Sequence, residues 1–314
     1  MVRTLQALLG ATLIAAATAN MPVRTAVAGD QRPTDLQVSR IVEVRATLTV
    51  RNVTENEVRN LVLVVPPAVL DQTGTQRLVS VAYTTAPAAL RNTEDGAEAT
   101  YTVATIAPGD LLTFEQVYTV ALGPDPTADT QVDPGRYLAA EVGIEAGHRQ
   151  VKEAAQAATQ GLRSATDRAR AIAQYVVDHT AYDLSSPSRN QGALAALQSG
   201  TGVCSEYASL FVAMARASGV PSRLVYGWAK AGGLEAGLDA QTRHVWAEYY
   251  EPDQGWIAVD PTFAEAQTDP LAFDPASHLA QGWSPSTISA SFGGRGLVTV
   301  VASHTLTSVT TAKR

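Results

Sequence analysis

The sequence predicts an α+β protein in which an all-β, immunoglobulin-like sandwich precedes a region of mixed helices and strands. Apolar and polar residues alternate in the segments 41–50, 99–106 and 111–122, as they do in strands with one buried face. Turn-forming residues separate these segments, which is typical of a sandwich. After residue 148 the apolar spacing becomes helical, most clearly in 165–177, so a second kind of domain follows.

The composition allows two folded domains and excludes several classes of protein. The chain has 314 residues, of which 46% are hydrophobic and 17% are charged, so it can bury sizeable cores. Its net charge of -7 argues against binding to nucleic acid, which normally requires a basic surface. No cofactor is indicated.

Residues 1–28 have the pattern of a signal peptide for export. Arg3 provides a positive start, the segment 5–19 is apolar, and Ala26-Val27-Ala28 is a small-x-small cleavage signal. The segment 17–19 is an alternative cleavage signal. The apolar run has roughly 15 residues against the roughly 20 that span a bilayer, so stable membrane insertion is not expected. We therefore expect a secreted, periplasmic or extracellular protein.

The predicted domain order follows from these changes of pattern along the chain. A segment rich in Pro, Asp and Thr after Leu122 predicts a linker, and a glycine-containing stretch at 231–241 predicts a mobile loop. The second domain should contain helices at 165–177, 193–197 and 204–218 and then strands at 222–229, 244–250 and 256–259. The predicted divisions are a sandwich at 29–125, a linker at 126–147, a catalytic domain at 148–270 and a C-terminal extension at 271–314.

The single cysteine is the first candidate for chemistry. Cys204 has no second cysteine to pair with, so no internal disulfide is possible. It stands at the start of the predicted helix 204–218. Unpaired N–H groups and the helix dipole favour a thiolate there, and the thiolate is the reactive form. The alternative is a buried, inert cysteine.

A hairpin provides a base for this thiol. His244 and Trp246 share one face of the strand 244–250, and the turn 251–255 leads into the strand 256–259, which Asp260 follows. If paired positions have an even index sum, His244 and Asp260 lie on the same face, directly opposite or diagonal. An imidazole oriented by a carboxylate is what a cysteine nucleophile needs. The alternatives are a packed histidine and a turn-forming aspartate before Pro261.

The remaining histidines are not expected to take part. His148, His179, His278 and His304 lack such a setting and show no metal-ligand spacing, so no metal site is predicted.

Three stretches resemble the bacterial transglutaminase-like family over roughly residues 160–265. They are GVCSEYASLFVAMARASGVPSRLVYGW, RHVWAEYYEPDQGW and WIAVDPTF. The resemblance implies a papain-like α+β core with Cys204 as nucleophile, His244 as base and acid, and Asp260 orienting His244. The stretch HTAYD also resembles the family, which implies that Tyr182 lies in the substrate cleft; the alternative is a core tyrosine. Trp246 is the second candidate cleft residue.

The resemblance implies an enzyme that forms a thioester on Cys204 from an amide or peptide carbonyl, and the signal-peptide pattern implies that this enzyme is exported. The animal transglutaminases have calcium sites, but this sequence has no acidic calcium-binding loop. Hydrolysis of a protein or peptide substrate, including one in the cell envelope, is slightly favoured over transfer to an amine. The alternatives are a protein-crosslinking transglutaminase, a non-catalytic cell-envelope binding module and a structural envelope protein. No oxyanion donor stands out before Cys204, so backbone N–H groups are the remaining candidates. Oligomeric state is not predicted.

Overall fold

A computed structural model of the chain describes residues 3–6, 24–26, 38, 40–124, 133–230, 243–264 and 267–309. The strands are β1 (Arg3–Gln6), β2 (Arg24–Ala26), β3 (Arg40–Asn52), β4 (Val58–Val65), β5 (Gln72–Thr73), β6 (Gln76–Tyr83), β7 (Ala89–Thr93), β8 (Gly96–Ile106), β9 (Leu111–Leu122), β10 (Ala181–Tyr182), β11 (Thr201–Gly202), β12 (Ser222–Ala229), β13 (Arg243–Glu251), β14 (Gly255–Val259), β15 (His278–Gly282), β16 (Ser289–Gly294) and β17 (Val298–Val309). The helices are α1 (Arg149–Thr159), α2 (Ala165–His179), α3 (Ala193–Ser199), α4 (Cys204–Ala217) and α5 (Pro261–Ala264), with 3₁₀ turns at Pro134–Leu138 and Pro275–Ser277.

The predicted α+β class with an N-terminal β-sandwich is confirmed. One sheet has the strand order β1-β16-β4-β8-β7 and the other has β17-β3-β9-β6-β2, with antiparallel pairing throughout. The alternation in β3 places Val42, Val44, Leu48 and Val50 in the core between the sheets. The period of two in the sequence therefore determines which side chains fill the sandwich.

The predicted C-terminal extension, residues 271–314, is divided between the two halves of the molecule. β15 pairs with β12, whereas β16 pairs with β4 and β17 pairs with β3 along its whole length. The predicted end of the catalytic domain, residue 270, thus precedes β15, which belongs to the same sheet as β13. The domain divisions themselves stay a prediction.

Three other predicted segments lie wholly or partly outside the described residues. The export segment is described only as the short strands β1 and β2, and residues 27–28 and 17–19 of its two cleavage signals lie outside the described residues. The loop at 231–241 lies outside the described residues altogether. The linker is described from residue 133 onward. It contacts α4 through a hydrogen bond of 2.7 Å from Arg216 Nη1 to the carbonyl of Ala139. Within the described parts of the chain, no helix is long and apolar enough to cross a membrane.

The second half is built around helix α4 and an antiparallel sheet of order β14-β13-β12-β15. The sequence predicts an apolar stripe on α4 from Tyr207 to Met214, and the structure buries the helix on every side, because α1, α2 and α3 cover the surface opposite the sheet. Gly219, with φ of 79°, ends the helix in a conformation that residues with a Cβ seldom adopt.

The sandwich and the second half share buried surface through β12 and β15. Trp228 and Leu279 belong to the same apolar core as the sandwich residues. Gln76 of β6 also binds the backbone of β15: its Nε2 donates to the Ala280 carbonyl at 3.0 Å, and its Oε1 accepts from the Ala280 N–H at 2.9 Å. The position of β15 is therefore fixed from both sides.

Candidate active site

Cys204 is the first residue of α4 and is partly exposed. The chain enters the helix through Gly202, where an added Cβ would lie 2.4 Å from the Cβ of Glu206. The Glu206 carboxylate accepts hydrogen bonds from the Val203 N–H at 3.2 Å and from the Asn190 N–H at 2.8 Å. Glycine and a buried carboxylate thus hold the turn that presents the thiol at the helix start.

His244 and Asp260 come together through the register of the hairpin. Ala247 pairs with Val259, so Asp260 follows the last paired residue of β14 and lies diagonal to His244 on the same face. His244 Nε2 is 2.7 Å from Asp260 Oδ2, and Asp260 Oδ1 accepts from the Thr262 N–H at 2.9 Å. Both side chains are buried, with 8% and 1% of their surfaces exposed.

The same ring also reaches the thiol. Burial by itself lowers the pKa of His244, but hydrogen bonds to Asp260 and Cys204, together with the charges of those groups, raise that pKa from 6.5 to about 9. Burial raises the pKa of Asp260, but the hydrogen bonds from His244 and His278 outweigh it and hold that pKa well below its usual value. The structure therefore joins His244 to Asp260 by a hydrogen bond and places the imidazole near Cys204, in surroundings that favour the ionised form of Asp260 and the charged form of His244.

Sequence reasoning missed His278, which was expected to have no such setting. The structure corrects this expectation: His278 Nε2 lies 3.1 Å from Asp260 Oδ2, the same oxygen that binds His244. The reason is tertiary, because β15 pairs with β12 on the far side of the sheet from β14. No local pattern around His278 marks this pairing.

The two predicted cleft residues have different environments. Tyr182 is 50% exposed, pairs through its strand with Gly202, and has its pKa raised by burial and by the nearby Cys204. Trp246 is only 2% exposed and meets the ring of His278 edge-on at 5.1 Å. Tyr182 therefore borders the thiol at the surface, whereas Trp246 packs behind the site and is not accessible to a substrate in this structure.

A phenylalanine from the DPTF stretch completes the packing. Phe263 stacks on the His244 ring at 4.8 Å with an angle of 14° between the planes. Its position in the stretch WIAVDPTF does not by itself indicate this contact. Stacking on one face and Asp260 at one edge leave the imidazole little freedom to rotate.

His244, Asp260 and His278 also offer ligand atoms that all lie within 4.8 Å of one another. In this arrangement the nitrogen and oxygen atoms are joined to each other by hydrogen bonds. Because an ionised carboxylate only accepts hydrogen bonds, each Nε2 is the donor in its contact with Asp260.

Comparison with known proteins shows which family the active-site region resembles. Residues 152–261 match the family model described as the Transglutaminase-like superfamily. A Pseudomonas aeruginosa protein named protein-glutamine gamma-glutamyltransferase is 37% identical over 70 residues, which are 21% of this chain and 10% of that protein. The uncharacterized protein YebA of Bacillus subtilis is 32% identical over 80 residues, 23% of this chain and 11% of YebA. The matched segments thus span about a tenth of each curated relative.

A solved structure extends the likeness to the whole fold. The crystal structure of a candidate cysteine protease from Cytophaga hutchinsonii has a TM-score of 0.55 and 16% sequence identity, and the match covers 88% of this chain and 92% of that one. At this identity the match shows a shared fold. The predicted family resemblance is confirmed.

Proposed function

Because residues 152–261 match the transglutaminase-like superfamily, we propose that this protein is an exported thiol enzyme that forms an acyl-thioester on Cys204. Its substrate is an amide or peptide carbonyl. The observation that carries the proposal is the hydrogen bond from His244 to the buried Asp260, with the His244 ring near the partly exposed Cys204. A nucleophile, a base and an orienting carboxylate are the three parts of a thiol acyl-transfer site.

The order of bond changes follows from these positions. The Cys204 sulfur attacks the carbonyl carbon, and the oxygen that becomes negative is stabilised by backbone N–H groups of the first turn of α4. The C–N bond then breaks, and the His244 imidazolium gives its proton to the departing amine. Water or an amine then attacks the thioester while the neutral His244 imidazole takes up a proton from the attacking group. The C–S bond breaks, the acyl product leaves, and Cys204 is restored as a thiolate beside the His244 imidazolium.

Hydrolysis is the proposed main outcome. Cys204 is partly exposed, so water can reach the thioester. Transfer to an amine is the second candidate, and the name of the Pseudomonas aeruginosa relative favours it. The substrate would be a protein or peptide outside the cytoplasm, and the exposed Tyr182 ring beside Cys204 would contact it.

The test is covalent labelling with peptide-like electrophiles. We expect the wild-type protein to be labelled at Cys204 within minutes and Cys204→Ala not to be labelled, because the chain has no other cysteine. Mass spectrometry of the intact protein measures the adduct. If the folded wild-type protein takes up label no faster than a free thiol, the proposal of an enzyme is wrong. A non-catalytic binding module is then the remaining function. A second assay, with a peptide amide substrate and an added amine, separates the two outcomes. Hydrolysis gives the free acid, whereas transfer gives the new amide.

The pH dependence should show where His244 loses its proton. The imidazolium is the acid that protonates the leaving amine, and its pKa is raised from 6.5 to about 9. The charged form therefore persists through neutral pH and is lost as pH rises through about 9. We expect kcat/KM for a peptide amide to fall on an alkaline limb near that value. An alkaline limb near the unperturbed histidine value would contradict the proposed coupling of His244 to Asp260 and Cys204.

A further inference from the structure

One carboxylate oxygen in the site binds two imidazoles. Asp260 Oδ2 lies 2.7 Å from His244 Nε2 and 3.1 Å from His278 Nε2, while Oδ1 accepts from the backbone of Thr262. Both oxygens of a side chain with 1% exposure are therefore committed, and one of them is shared. The proposed mechanism uses the bond to His244 and leaves the bond to His278 without a role.

We propose that His278 is a positioning residue of the triad, which fixes the Asp260 carboxylate in the direction that receives the His244 Nε2–H. The inference rests on the proposed function and adds a fourth side chain to it. Thr262 holds only Oδ1, about which the carboxylate could still swing. A second donor on Oδ2 removes that freedom, so His244 meets a carboxylate of fixed direction.

His278 faces Asp260 through Nε2, at 3.1 Å from Oδ2. An ionised carboxylate only accepts hydrogen bonds, so Nε2 is the donor in this contact. A hydrogen bond to an ionised carboxylate is charge-assisted and stronger than one between neutral groups. On the other side of the ring, Nδ1 lies 2.9 Å from the carbonyl oxygen of Asp274.

His278 is itself held firmly enough to position another residue. It begins β15, whose backbone pairs with β12, and it follows the 3₁₀ turn Pro275–Ser277. Asp274 caps that turn by accepting from the Ala276 N–H at 3.0 Å. The Phe273 ring lies 4.1 Å from the His278 ring. Backbone pairing, a capped turn and a packed ring thus fix the imidazole before it meets Asp260.

The test compares two replacements of similar size in the full-length chain. His278→Gln keeps an N–H donor that can reach Asp260, whereas His278→Met keeps the volume and removes the donor. The probes are iodoacetamide alkylation of Cys204 at neutral pH and, for a peptide amide, kcat and KM measured separately. His304→Gln is the control, because that ring packs on Trp228 away from the triad.

We expect His278→Met to lower the alkylation rate and kcat by about 10- to 100-fold with KM little changed, since misplacement of a catalytic group costs that much. His278→Gln should recover most of the loss, and the far-downfield proton resonance of the His244–Asp260 hydrogen bond should persist in Gln and disappear in Met. Equal rates in Gln and Met would show a packing role only and overturn the inference. A wild-type Cys204 that alkylates slowly would instead overturn the proposed function, and the proton resonance would then decide the role of His278 alone.

Discussion

Replacing His244 by alanine is expected to lower kcat by about 10⁶-fold, because a nucleophile and its base act as one unit and losing either costs nearly the whole effect. The change removes the acid that protonates the leaving amine and the hydrogen-bond partner of Cys204. Iodoacetamide alkylation of Cys204 below pH 8 should also become slow, since the thiol loses its cationic partner. The measurements are single-turnover acylation of a peptide amide and alkylation rate against pH.

The matched control for this prediction is a double variant. Because the two residues act together, His244→Ala added to Cys204→Ala should cause no further loss of activity. An additional loss in the double variant would mean that His244 works independently of the thiol. Wild-type alkylation in His244→Ala would show that Cys204 is an ordinary exposed cysteine.

Replacing Asp260 by asparagine is expected to lower kcat by about 10⁴-fold. The amide has almost the same shape as the carboxylate but no charge, so the imidazolium of His244 loses the anion that stabilises it. The same change removes the anionic partner of His278. Alkylation should slow less than in His244→Ala, because the ring remains beside the sulfur. Stopped-flow alkylation and steady-state kinetics measure the two effects.

The outcome that contradicts this prediction is specific. An Asp260→Asn protein with wild-type kcat and an unchanged alkaline limb would mean that the carboxylate has only a structural role. The limb should instead move to lower pH, because the hydrogen bond to Asp260 is the largest influence that raises the pKa of His244. A circular dichroism spectrum like that of the wild type confirms that the comparison is between folded proteins.

The local parts of the site could be predicted from sequence because they follow from short-range geometry. In a hairpin the period of two decides which side chains share a face, so an even index sum predicts His244 and Asp260 on one face, directly opposite or diagonal. The observed pairing of Ala247 with Val259 selects the diagonal arrangement. The glycine before Cys204 and the apolar residues of α4 likewise indicate a helix that starts at the thiol.

The long-range parts could not be predicted in this way. Alternation places Trp246 on the face of His244, but it does not say that Phe273 and β15 cover that face from solvent. His278 is 18 residues beyond Asp260 and reaches it through a strand on the opposite edge of the sheet. The path of the C-terminal strands back to the sandwich has no periodic signal either, because strand alternation does not specify the partner.

The return of the last strands has a consequence for how the chain acquires its structure during synthesis. β3 borders β17, and β4 lies between β16 and β8, so each early strand has a neighbour that leaves the ribosome more than two hundred residues later. Contacts of such large sequence separation form slowly. A strand edge that is still unpaired can pair with other chains. The apolar faces of the first strands are thus complete only after the whole active-site half has been made. Until β17 has been made, the edge of β3 that it pairs with has no partner from that strand, so a nascent chain that stalls before residue 298 exposes this edge.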